Sequence, residues 1–78
     1  MMMRVKQVSE YTIKRYNGFA ELILDQPVRK QERLSISNNS SLDFVVYEGN
    51  DQTTEFRIPF KFEMSADLRV VILKGEAL

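Results

Sequence analysis

The chain has seventy-eight residues, eleven basic and eleven acidic side chains, and neither cysteine nor histidine. Disulfide staples and thiolate or imidazole metal sites are excluded, and zero formal charge removes the long-range pull that draws a basic protein to nucleic acid. A single domain spanning residues 1–78 is expected, burying only about 60–65% of the surface of its unfolded chain, so its stability must come from tight packing or from another chain.

The first residues, "MMMRVKQV", are too short and too polar for a secretory leader, and no apolar run approaches the length of a membrane span. A cytoplasmic protein is the resulting expectation. An extended segment is predicted over residues 3–8. A helix over residues 2–16, with Val5, Val8, Thr12 and Tyr16 on one face and Gly18 as its cap, is the rival reading of this region.

In "YTIKRYNGFAELILD", Asn17-Gly18 stands between two runs rich in aromatic and β-branched residues. Both central positions of a type I′ turn require positive φ, which Asn-Gly tolerates. A two-residue turn sets Tyr16 opposite Phe19, Lys14 opposite Glu21, Ile13 opposite Leu22 and Tyr11 opposite Leu24. Each pair is aromatic, oppositely charged or apolar, and such pairs stabilise sheets. Strands are therefore predicted at 11–16 and 19–25, with 3–8 and 11–16 either separate or one bent strand.

"QPVRKQER" is polar, carries Pro27 and reads as a loop, an exposed edge or one helical turn. Strands follow at 32–37 and 42–48. Between them, "SNNSS" is read as a turn, because Asn and Ser side chains bond to their own backbone, and not as a glycosylated sequon. Gly49 to Asp51 are then taken to close a hairpin onto a strand at 53–62, placing Leu42 opposite Ile58, Asp43 opposite Arg57 and Phe44 opposite Phe56. The same logic across "SAD" pairs Phe62 with Val70, Phe60 with Ile72 and Glu63 with Arg69, in a last strand at 67–74.

On those registers Phe56, Ile58, Phe60 and Phe62 form one wall of the core, with Arg57, Pro59 and Lys61 on the other side and a kink at Pro59. The outward side is also apolar: "LIL", "FVVY" and "VVIL" carry hydrophobic residues on both faces, as strands covered twice do. A chain this short cannot cover two faces by itself. The fold class expected is all-β, a small antiparallel barrel or compact sandwich of five to seven strands.

Function follows from the surplus face. The chain is read as a non-catalytic protein–protein interaction or assembly module, self-associating as a homo-oligomer or docking on a larger protein, through Tyr16, Phe19, Val45, Tyr47, Val71 and Leu73. The alternative is a small-barrel single-stranded nucleic-acid-binding protein using Tyr11, Lys14, Arg15, Tyr16 and Phe19, where aromatics alternate with cations. Glu21 on the same face opposes that alternative. An enzyme is not expected: the carboxylates Glu21, Asp43, Glu55 and Glu63 each have a basic partner or a solvent-facing slot in this scheme, and small domains seldom build deep clefts. "EGND" lacks the spacing of a calcium loop, and Gly18, Gly49 and Gly75 are too dispersed to cradle phosphate. No cofactor, metal, membrane or small-molecule substrate is indicated.

Overall fold

A computed structural model of the chain describes residues 3–75, with Met3 placed by its backbone only. All its regular structure is extended, apart from a single 3-10 turn at Ser65–Asp67. Among the described residues seven strands follow one another: β1 (Met3–Gln7), β2 (Tyr11–Tyr16), β3 (Phe19–Leu24), β4 (Glu32–Asn38), β5 (Phe44–Glu48), β6 (Glu55–Ile58) and β7 (Leu68–Gly75). They form two antiparallel sheets, ordered β1-β7-β4-β5 and β2-β3-β6. No closed barrel forms among the described residues, and each sheet keeps two open edges.

The β2–β3 hairpin has the register that its side chains dictate, with Tyr16 opposite Phe19, Lys14 opposite Glu21, Ile13 opposite Leu22 and Tyr11 opposite Leu24. Gly18 sits at φ +97° in the turn, a conformation that a side chain would strain. Residues 3–16 are two separate strands in two different sheets. The helix reading is overturned over these residues (its first residue, Met2, lies outside those described), and so is the single bent strand. The alternation of two in "RVKQV" and "YTIKRY" outweighs the weaker helical spacing.

Two expected pairings are corrected. β5 does not pair with β6. It pairs with β4, Leu34 opposite Tyr47 and Ile36 opposite Val45, while β6 joins β3 with Leu22 opposite Phe56 and Ala20 opposite Ile58. β7 pairs with β1 and β4, not with residues 60–63. The expected strand at 53–62 stops at Ile58, where its partner β3 reaches the Asn17-Gly18 turn.

One cluster collects the buried side chains of both sheets: Ala20, Leu22, Leu24, Phe56 and Ile58 from the three-stranded sheet, with Leu34, Ile36, Leu68 and Val70 from the other. Phe60 and Phe62 pack against it from the segment after β6, so the phenylalanine-rich stretch is a core wall as expected. Val28, from the polar stretch read as a loop or edge, is fully inserted. Its carbonyl accepts from the amides of Asn50 and Asp51, tying the β3–β4 connection to the one that leaves β5.

Candidate functional site

The two sheets share a core but present very different outer faces. On the three-stranded sheet the outward residues are Thr12, Lys14 and Tyr16 of β2, Phe19, Glu21 and Ile23 of β3, and Glu55 and Arg57 of β6. Lys14, Glu21 and Arg57 lie side by side across the three strands, a cation–anion–cation row in register. Tyr16 and Phe19 stack at 4.7 Å with their planes 14° apart, and the Arg57 guanidinium sits 4.6 Å over the Phe19 ring. Glu21 holds the Tyr16 phenol above its ordinary pKa, chiefly by hydrogen bonding and then, with partial desolvation, by its charge.

The four-stranded sheet turns Val5 and Gln7 of β1, Arg69, Val71 and Leu73 of β7, Arg33, Ser35 and Ser37 of β4, and Phe44, Val46 and Glu48 of β5 outward. Val5 is 59% exposed, Phe44 67% and Val46 43%, and Leu42, just before β5, is 97% exposed. Ser35 lies between Val71 and Val46, and Ser37 between Arg69 and Phe44. An Arg33–Glu48 ion pair of 3.7 Å closes one end of this apolar strip. Singly exposed apolar residues are ordinary; here several share one sheet face.

The structure separates the six residues expected at a contact surface. Tyr16 and Phe19 lie on the three-stranded face. Val71 and Leu73 lie on the four-stranded face, where Val71, flanked by Gln7 and Ser35, is only 8% exposed. Val45 and Tyr47 do not point outward at all: both pack against the core. Tyr47 stacks obliquely on Phe56 at 5.4 Å, and its hydroxyl donates to the Arg57 carbonyl at 2.6 Å. Burial pushes its phenol up, with Arg57 acting weakly the other way.

This inversion of β5 follows from its partner. The register with β6 put Phe44 and Val46 inside; the register with β4 aligns Val45 and Tyr47 with Ile36 and Leu34 and turns Phe44 and Val46 out. The signal was present in "RLSIS", where Leu34 and Ile36 demand apolar partners across the Asn-Ser turn. Phe44, Val46, Val5 and Leu42 are thus the surface residues that the sequence reading missed.

The residues of the nucleic-acid alternative also divide. Lys14, Tyr16 and Phe19 share the outer face as expected, whereas Tyr11 packs against the core. Arg15 crosses one end of the molecule: its guanidinium lies 4.3 Å over Phe62 and donates to the Glu63 carbonyl at 2.8 Å. There an open cleft of about 910 Å³ runs between the β2–β3 turn, residues 38–43 and residues 57–63. Arg15, Arg57 and Lys61 line it, and so do Asp43, Glu63 and Asp67. Among the described residues no group of acidic side chains is gathered to hold a metal ion, and no helix is long and apolar enough to cross a membrane. Comparison with protein-family models, with curated proteins and with solved structures finds no match.

Proposed function

We propose that the chain is a non-catalytic assembly module that associates with protein through the outer face of its four-stranded sheet. The observation that carries this is the apolar strip of Val5, Leu73, Val46 and Phe44 around a buried Val71, facing away from a core that is already filled from the other side. Covering that strip removes hydrophobic surface from water without rearranging the fold. The two sheets are read as the layers of a compact sandwich, a reading supported by the mixing of both sheets' residues in one buried cluster. The two tyrosines with raised pKa values serve structural bonds, which suits a binding role better than acid–base chemistry.

The test compares one substitution on each outer face. Association, measured by light scattering and by capture of protein from the native host, should weaken at least tenfold, about 1.4 kcal/mol, in Phe44→Asp and stay unchanged in Phe19→Asp. Loss of association in Phe19→Asp with retention in Phe44→Asp overturns the reading. Val71→Asp is unsuitable, because that side chain is already buried and a charge there would disturb folding.

A second reading rests on the end cleft. Tyr16, Phe19, Arg15, Arg57 and Lys61 all line it, combining ring surface with cations as single-stranded nucleic-acid sites do. Three acidic neighbours and the mutual stacking of Tyr16 on Phe19 weigh against it. Anisotropy of labelled oligo-dT and oligo-U at low salt decides this: no binding at tens of micromolar ends the reading, and binding that Arg57→Glu abolishes sustains it.

A further inference from the structure

Each open sheet edge exposes unpaired backbone donors and acceptors, which soluble proteins normally guard with charge, proline, shortness or a covering group. Three of the four edges here are guarded. β1 carries Arg4 and Lys6 on the side that faces the core layer, in register with Lys74 and Ile72. β2 carries Lys14 and Arg15. β6 is four residues long, ends against Pro59, and has its outward Arg57 carbonyl taken by the Tyr47 hydroxyl.

β5 is the least guarded of the four. Its sequence is Phe-Val-Val-Tyr-Glu, with no proline or lysine, and its one charge, Glu48, stands at its end, 3.7 Å from Arg33 of its own sheet. The ladder fixes which of its backbone groups are unused. Asn38 donates to the Asp43 carbonyl and Gly49 donates to the Glu32 carbonyl, so the odd-numbered residues of this stretch exchange bonds with β4. The N–H and C=O groups of Phe44, Val46 and Glu48 therefore point to the open edge. These are the same residues whose side chains stand on the exposed apolar face.

We propose that β5 pairs antiparallel with β5 of a second copy of this chain, about a two-fold axis at Val46, joining two four-stranded sheets into one of eight. This inference rests on the assembly reading above and adds a second copy at the edge of the same sheet, aligning the two apolar strips without covering them. Val46 is the midpoint of β5, so this register uses all three outward residues, with Phe44 of each copy opposite Glu48 of the other. Charge favours it as well. The chain has no net charge to repel a second copy, and the antiparallel register holds the two Glu48 carboxylates a strand's length apart, roughly 13 Å, beyond the ~8–10 Å screening length. Both apolar strips then become continuous across the axis. A five-residue edge buries less than the ~1,200 Å² of a standard stable interface, so the dimer is weak and is sought up to about 1 mM.

The experiment uses sedimentation equilibrium and a cysteine cross-link, for which the cysteine-free chain is a clean background. The unaltered chain should shift from monomer to dimer with concentration. Val46→Pro keeps an apolar side chain but removes the central edge donor, and should stay monomeric while retaining its circular dichroism. Val46→Cys should form a disulfide dimer at least tenfold faster than Thr12→Cys, an exposed position on the other sheet, because residues facing each other in a hydrogen-bonded pair lie about 5.5 Å apart. A monomer at all concentrations overturns the inference and leaves a foreign partner for the face to be sought by the Phe44→Asp comparison. Association that survives Val46→Pro but is lost in Phe44→Asp also overturns it, while sustaining the face. If Val46→Pro fails to fold, the cysteine pair decides alone: equal rates at positions 46 and 12 overturn the edge pairing.

Discussion

The outer faces of the two sheets obey opposite rules although both sheets feed the same core. Across the three-stranded sheet Lys14, Glu21 and Arg57 meet as alternating charges, with Thr12, Ile23 and Glu55 in the next row. Such a face is satisfied by water and by its own neighbours. Across the four-stranded sheet the corresponding positions are Gln7, Val71, Ser35 and Val46, then Val5, Leu73, Arg33 and Glu48. Folding demands only the inward residues of each strand. The outward valines, leucine and phenylalanine are therefore not required by the core, and the assembly proposed above would give them a role.

That comparison depends on β5 being held with Val45 and Tyr47 inside, and the largest effect tests how it is held. A Cβ at Gly49 would lie 1.8 Å from the Arg29 carbonyl oxygen, a backbone atom that cannot step aside. Gly49→Ala is expected to cost about 3 kcal/mol in denaturant unfolding, at the upper end of overpacking effects. A cost below about 0.5 kcal/mol would mean that the chain leaves β5 by another path, and the assignment of its faces would fall with it.

A sharper version uses two adjacent valines of the same strand. Val45→Ala should lose about 1 kcal/mol, because Val45 packs on the core, while Val46→Ala should lose less than about 0.5 kcal/mol. The opposite ranking would restore the register with β6. On the other sheet, Lys14→Glu sets like charges directly opposite each other at Glu21 and should cost about 0.5 kcal/mol, weakening as salt is added. No change with salt would show that the charge row contributes nothing.

The smallest effect is in pH. Burial raises the Tyr47 phenol, so the folded chain keeps a proton that the unfolded chain releases above about pH 10. The associated stability is full below that pH and falls as pH rises through the folded value. Tyr47→Phe should reduce the fall and leave the share due to Tyr16, whose phenol is raised by Glu21. An identical alkaline profile for both chains would contradict the burial of Tyr47.

Local chemistry made the strands legible and left their partners hidden. Asn17-Gly18 sets the β2–β3 register because a two-residue turn leaves no other choice, and the seven extended segments declare themselves by alternation. Between Tyr47 and Phe56 the chain passes from one sheet to the other, a step that a turn-by-turn reading mistakes for a hairpin. Once β5 was matched to the wrong neighbour, its two faces were exchanged, although the surplus of apolar outward positions was still visible from Val71 and Leu73. Val28 was missed for a different reason: a lone valine among polar residues has no periodicity to announce that it fills the core.

The most direct measurement is a dilution series of amide NMR spectra from the isotopically labelled chain. Concentration-dependent shifts and broadening should gather on Phe44, Val46 and Glu48 of β5, leaving Thr12, Glu21 and Arg57 unchanged. Changes confined to the charged face of the three-stranded sheet would contradict the account, and none at any concentration would remove the pairing of copies.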